Sequence, residues 1–255
     1  MSQLLLAVDT SGKNGSVALA RVMLGQPQVE IVESVPLAGG TFSAQLIPQI
    51  SALLEKNRFS KKELTGLAAV SGPGSFTGLR VGLAAIKALA EGLQIPIAAI
   101  SLLEAVARSG HAFGHTRRVI AALDAGRGDV YVGDYEIGAS QGVECAHKIS
   151  ERLLRRDEFL AEAKARAEEK DAEEKDKDKD QAKAKAKAVV TSEPAIAAML
   201  EAASIACELI PYPDIAIIAR LGWERIQSGQ TTEAQELDAN YIRRSDAEIF
   251  SQPKP

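Results

Sequence analysis

Short apolar runs broken by polar, glycine-bearing turns open the chain. Residues 3–9, QLLLAVD, form such a run and end on Asp9; TSGKNG turns the chain, and SVALARV resumes it. This pattern predicts a β-hairpin, with a third strand near 28–35. From Ser43 the period changes. Leu46, Ile47, Ile50, Leu53 and Leu54 fall on one helical stripe, and Pro48 must sit in the first turn or kink the helix. A buried strand at 66–72, a helix over GLRVGLAAIKALAEGLQ, a strand IPIAAIS and a helix from Leu102 follow. The order βββαβαβα predicts a mixed sheet covered by helices.

A second unit opens like the first. In VIAALDAGRGDVYVGDYE, residues 119–136, a strand ends at Asp124, turns through glycine and returns, as the first hairpin does at Asp9. The similarity suggests an internal duplication. Residues 161–188 then interrupt the pattern: Ala, Gln and charged residues only, with nine acids and nine bases. Such a stretch is expected to stay out of any core, as a solvated helix or without structure. A helix near 194–207, a short strand in CELIPYP and a helix over DIAIIARLGWERIQ complete the unit. The expected domains are 1–108 and 118–228, the latter interrupted at 161–188, with a tail over 229–255.

Composition narrows the function classes. The chain has 255 residues, 46% of them hydrophobic and only 4% aromatic, which suits helices layered on sheets. A net charge of −4 argues against avid nucleic-acid binding by this chain alone. Cys145 and Cys207 lie 62 residues apart with no CxxC spacing and read as a buried thiol pair in a reducing compartment. The first apolar run is too short for a membrane span and has no basic flank, so a cytoplasmic location and no membrane contact are expected.

The stretch VSGPGSFTGLRVG, residues 70–82, is the first candidate for chemistry. It links a strand to a helix, where backbone N–H groups can hold an anion. It is neither a P-loop nor a GxGxxG fingerprint, because Gly72, Gly74 and Gly78 give GxGxxxG. Asp9, Ser11, Gly72, Gly74 and Ser75 are therefore weak candidates for a nucleotide phosphate. A tight turn explains the same glycines, and Asp9, Thr10 and Ser11 can equally cap the hairpin.

The following helix carries a stronger signal. Leu79, Gly82, Leu83, Ile86, Leu89, Ala90 and Leu93 make one apolar face; Val81, Ala84, Ala85 and Ala88 make a small apolar face opposite. Only Lys87 and Glu91 carry charge between Val81 and Leu93. A helix apolar nearly all round needs cover on more than its sheet side, which points to a helix–helix or protein interface. The sequence HAFGH places His111 and His115 four apart, but its glycines favour a loop over a metal-binding helix.

LLLAVDTSGKNGSVALA, AVSGPGSFTGLRVGLAAIKALAEGLQIPIAAISLLEAVA, IAALDAGRGDVYVGDYE and LDANYIRRSDAE together resemble the TsaB family, also called YeaZ. The resemblance implies two actin-like (RNase H-like, ASKHA) α/β domains, each a mixed sheet flanked by helices. It implies a non-catalytic subunit that pairs with the related TsaD protein, with the ATPase TsaE joining them. TsaD transfers a threonylcarbamoyl group to the adenosine 3′ of the anticodon in tRNAs reading codons that begin with A. The pairing face is expected on the helices at 43–57 and 78–93: Leu46, Ile50, Leu53, Leu54, Leu79, Arg80, Val81, Ala84, Ala85 and Ala88. A homodimer in isolation, tRNA contact only through the complex, and ATP or ADP only at a complex interface are also implied.

TsaD-like sequences carry an HxxxH metal pair whose positions are held here by Leu102 and Val106, so no metal or catalytic residue is assigned. Phe42 replaces a histidine common before the first helix, and the 161–188 segment is a further departure. Two rival readings are an ATP-dependent kinase or ATPase of the same fold, and a glycoprotease-like metallopeptidase using His111 and His115.

Overall fold

A computed structural model describes residues 2–26, 28–110, 117–140, 143–174 and 189–242. The chain divides into two compact units, one formed by 1–105 with 214–241 and the other built on 106–213. The sequence-based division placed the helix after residue 214 in the second domain; the structure packs it on the first sheet.

The first sheet contains β1 (Ser2–Asp9), β2 (Gly15–Met23), β3 (Val29–Leu37), β4 (Leu64–Gly72) and β5 (Ile97–Ser101), in the order β3-β2-β1-β4-β5. β1, β2 and β3 pair antiparallel, whereas β4 joins β1, and β5 joins β4, in parallel. The central strands are buried nearly throughout, as a sheet covered on both faces requires. Leu4, Leu6, Val8, Leu67 and Ala69 share a core with α1 (Phe42–Lys56) and α2 (Phe76–Leu93). On the opposite face, α6 (Ile215–Gln227) packs against β1, β4 and β5.

Gly222 is what lets α6 lie so close. A Cβ there would strike that of Ala68 on β4. Trp223 is buried and donates from Nε1 to the Gln26 carbonyl at 2.9 Å. Arg225 binds the Ala99 carbonyl and the Glu104 carboxylate, pairing the charge that burial would otherwise penalise. Beyond α6 the chain returns along the first sheet, where Thr232 bridges Ile97, and buries Leu237 in the core shared with α1 and α2.

The second sheet repeats the plan. β6 (Arg117–Gly126), β7 (Asp129–Ser140), β8 (Val143–Arg155), β9 (Val189–Thr191) and β10 (Cys207–Leu209) lie in the order β10-β9-β6-β7-β8. Read from the other edge, this is the first sheet's order: an antiparallel three-strand meander, then two parallel strands. The suspected duplication is thus visible in topology. Connecting the sheets in sequence, α3 (Leu102–Ser109) carries the position at which the two units divide.

α4 (Arg156–Glu174) and α5 (Pro194–Ala202) cover one face of the second sheet through Phe159, Ala163, Ile196 and Leu200. This corrects the expectation that 161–188 stays out of any core: Ala163 has 0% exposure, because alanine suffices where a helix lies close to a sheet. Residues 175–188, His111, His115 and the tail from 243 lie outside the described residues.

Charge also docks α4. Asp134 on β7 is buried and accepts from Arg118 Nε and Nη2 at 3.0 and 2.6 Å and from Arg166 Nη1 of α4 at 3.0 Å. Burial alone would raise its carboxyl pKa, but the two arginines outweigh burial and hold it below the ordinary 3.8. A lowered folded-state pKa stabilises the fold above the unfolded value and ceases to do so as pH falls through the folded value. We expect D134N to cost roughly 2 kcal/mol near neutrality. Below about pH 5 the wild type should lose stability more steeply than D134N. Urea unfolding at several pH values checks this, and equal pH slopes for the two proteins would contradict it.

Candidate functional site

The glycine turn after β4 is shaped by what it touches. Gly72 has φ +135°, a conformation that favours glycine, and a Cβ there would stand 2.8 Å from the Asn240 carbonyl oxygen. Ser75 caps α2 by accepting from Gly78 N–H at 3.3 Å, while its own N–H donates to the Ser11 carbonyl at 2.7 Å. Asp9 Oδ1 accepts from Ser11 N–H at 2.8 Å and Ser11 Oγ at 2.5 Å. A Cβ on Gly74 would lie 2.7 Å from Ser11 Cβ; one on Gly78 would meet the Thr10 carbonyl, and one on Gly82 the Thr10 hydroxyl.

Four of the five weak phosphate candidates, Asp9, Ser11, Gly74 and Ser75, are therefore brought together, with Gly72 turned towards Asn240. They meet each other directly. Asp9 and Ser11 cap the hairpin, and Ser75 ties the first turn of α2 to it. Among the described residues no group of three or more His, Cys, Asp or Glu is placed to hold a metal ion. No described helix is long and apolar enough to cross a membrane.

α1 and α2 pack side by side over the first sheet, and their two faces differ sharply. Five candidate pairing residues, Leu46, Ile50, Leu53, Leu54 and Leu79, are buried in the unit's own core. They hold the helices down and are not presented outward, because the strongest apolar stripe is the one the sheet claims. Val81 and Ala85 are half-buried against the same core. Arg80, Ala84 and Ala88, one turn apart, form the outward face of α2. Ile47, 49% exposed, and Pro48 stand outward on α1. Pro48 lies in the helix's second turn, so of the two expected alternatives, a first-turn position or a kink, it does not take the first.

At the N-terminal end of this face lies a cluster that sequence reasoning reached only in part. Phe76 is 39% exposed and supports the Arg80 guanidinium 3.8 Å above its ring centroid. Tyr241, from the returning segment, stacks on Phe76 at 5.0 Å between centroids, and its hydroxyl accepts from Arg80 Nε at 3.0 Å. The Phe76–Arg80 pair was legible as an aromatic and a cation at helical spacing i, i+4. Tyr241, 161 residues from Arg80, left no local signal.

A family model for TsaD, tRNA N6-adenosine threonylcarbamoyltransferase, matches residues 36–250. Proteins named tRNA threonylcarbamoyladenosine biosynthesis protein TsaB are similar: that of Bacillus subtilis is 34% identical over 132 residues, covering 52% of this chain and 55% of the relative. That of Haemophilus influenzae is 36% identical over 127 residues, covering 50% and 51%, and that of Escherichia coli 31% over 132 residues, covering 52% and 54%. The chain thus spans about half the length of these relatives. YeaZ from Pseudomonas aeruginosa superposes with a TM-score of 0.63 at 22% identity, covering 94% of this chain and 99% of its own. A second Pseudomonas aeruginosa structure, described as similar to the peptidase YeaZ, gives 0.63 at 24%, covering 94% and 100%. These likenesses agree with the duplicated topology: the fold is the two-domain, actin-like α/β architecture.

If α2 is seated by close approach to Thr10, adding bulk at that contact must unseat it. We expect Gly82→Val to lower stability by about 1–3 kcal/mol in urea unfolding. Gly92→Ala, where a Cβ meets nothing within 4 Å, should raise stability by about 0.5–1 kcal/mol. Equal effects of the two would contradict the close-contact account.

Proposed function

The chain belongs to the TsaD family, and from that premise we propose that it is a non-catalytic subunit of tRNA threonylcarbamoyladenosine synthesis, docking TsaD through the outer face of α1 and α2. In this reading TsaD performs threonylcarbamoyl transfer to the adenosine 3′ of the anticodon, TsaE joins the assembly, and tRNA is contacted through the complex. ATP or ADP, if bound, sits where subunits meet. In isolation the same face pairs with a second copy.

The observation that carries this reading is the outward row Arg80, Ala84 and Ala88, next to a helix that exposes Ile47 and Pro48. Small side chains let another helix approach closely. Specific interfaces bury about 1,200–2,000 Å² in total, an area that two adjacent helices and their flanks can supply. The TsaB names of the relatives favour the same pathway. Support for a non-catalytic role comes from Leu102 and Val106, the positions matched to the TsaD metal histidines. Both are buried apolar side chains with no donor atom for a metal.

Ala84 tests the reading better than Ala85, because Ala85 leans on the unit's own core and its replacement would confuse docking with folding. We expect Ala84→Glu to keep a wild-type circular-dichroism spectrum, since the position is exposed on the single chain, and to weaken binding to the same organism's TsaD by about 100-fold or more, since an unpaired charge would be buried on docking. Calorimetric titration measures this; undiminished affinity would overturn the proposed face.

A further inference from the structure

We infer that Arg80, braced by Phe76 and Tyr241, is the polar anchor of the docking face and takes a carboxylate side chain from the partner protein. This rests on the docking reading above and adds the chemistry of its recognition point. The guanidinium is held on two sides. Phe76 lies under its plane at 3.8 Å, and Nε is committed to the Tyr241 hydroxyl at 3.0 Å. Among the described residues no acceptor takes the edge carrying the two terminal nitrogens, and this is the fork that binds a carboxylate through two parallel hydrogen bonds.

Among the described residues no carboxylate pairs with Arg80, whereas Lys56, Arg118, Arg152, Arg166 and Arg225 each have one. Preorganisation lowers the entropy lost on binding, and arginine with aromatic support is typical of residues that dominate an interface.

A phosphate offers the same two-oxygen chemistry, so the surroundings must decide between a protein and a nucleic acid. Binding a nucleic acid draws on several cations along a backbone track. Arg80 instead heads a row of alanines, the next cation on α2 is the half-buried Lys87, and the chain's net charge is −4. Among the described residues a single braced cation stands at the end of this apolar face, which fits one acidic side chain at the end of a complementary apolar surface; Arg243 and Arg244, which follow in sequence, lie outside the described residues. The segment that carries Tyr241 is tied down independently, by the Asn240 N–H donating to the Ser71 carbonyl at 2.7 Å and by buried Leu237. Removing the tyrosine hydroxyl should therefore loosen Arg80 without releasing the segment.

The test measures affinity for TsaD across a salt series, for the full chain and the variants Arg80→Gln, Arg80→Lys, Tyr241→Phe and Ala84→Glu, each with its melting temperature. Arg80→Gln should weaken binding about tenfold or more and flatten its salt dependence. Arg80→Lys, which keeps charge but loses the fork, should recover only part of the loss. Tyr241→Phe should fall between wild type and Arg80→Gln, at unchanged melting temperature. If Arg80→Gln binds like wild type while Ala84→Glu does not, the anchor is wrong and the docking face stands. If Ala84→Glu also binds like wild type, the docking reading fails and the anchor with it. If Arg80→Gln instead lowers affinity only for unmodified tRNA, Arg80 is a phosphate contact and the carboxylate assignment is overturned.

Discussion

The contact between the first turns of α2 and the β1–β2 turn governs the first unit. Gly74 and Gly78 let the start of α2 approach the hairpin backbone at Ser11 and Thr10, and Gly82 leaves room for the Thr10 side chain. Buried Asp9 caps that hairpin by accepting from Ser11. With the helix fixed there, its rotation follows. Leu79, Leu83, Ile86 and Ala90 turn to the sheet, and Arg80, Ala84 and Ala88 turn away. In this glycine-, serine- and threonine-rich loop the residues join the hairpin to the start of α2. Gly74, Gly78 and Gly82 each spare a clash, and Ser11, Ser75 and Gly78 make the hydrogen bonds that close the turn.

The rest of the unit reinforces that seat. α1 contributes Phe42, Leu46, Ile50, Leu53 and Leu54 to the shared core, each gaining about 1.5–3 kcal/mol from burial. This keeps α1 beside α2 with little help from its polar edge. The returning segment closes over the end of β4, binding Ser71 and packing against Gly72, and brings Tyr241 to Arg80. An outward face that is small and apolar in its middle and cationic and aromatic at one end is thus built from three separated stretches of sequence.

Much of this was legible in one dimension. The hairpins, α2 and the repeated opening of the second unit follow from apolar period and turn chemistry. β8 did not, and the reason is local. Its apolar residues Val143, Ala146, Ile149, Leu153 and Leu154 are spaced three or four apart over most of its length, as in a helix. The register slips between Asp134 and Tyr135 of β7, opposite Ile149, so strict alternation is broken where it would have been read. The placement of α6 was hidden for a different reason. Its helical pattern is plain, but the only sign that it crosses back to the first sheet is Gly222, small because Ala68 lies under it. For the candidate site, periodicity identified the two helices and gave too much weight to their greasiest residues, which the core had already claimed. The exposed alanines and Arg80 were named; the support of Arg80 by Tyr241 depends on a contact 161 residues along the chain.

The outer face of α1 and α2 is the surface proposed to meet TsaD. Hydrogen–deuterium exchange of the full chain, alone and with TsaD, reads that directly. Slower exchange in peptides covering α1 and α2, with the second sheet unchanged, is the predicted result. Binding that leaves both helices exchanging as in the free chain, and protects another surface, would contradict it.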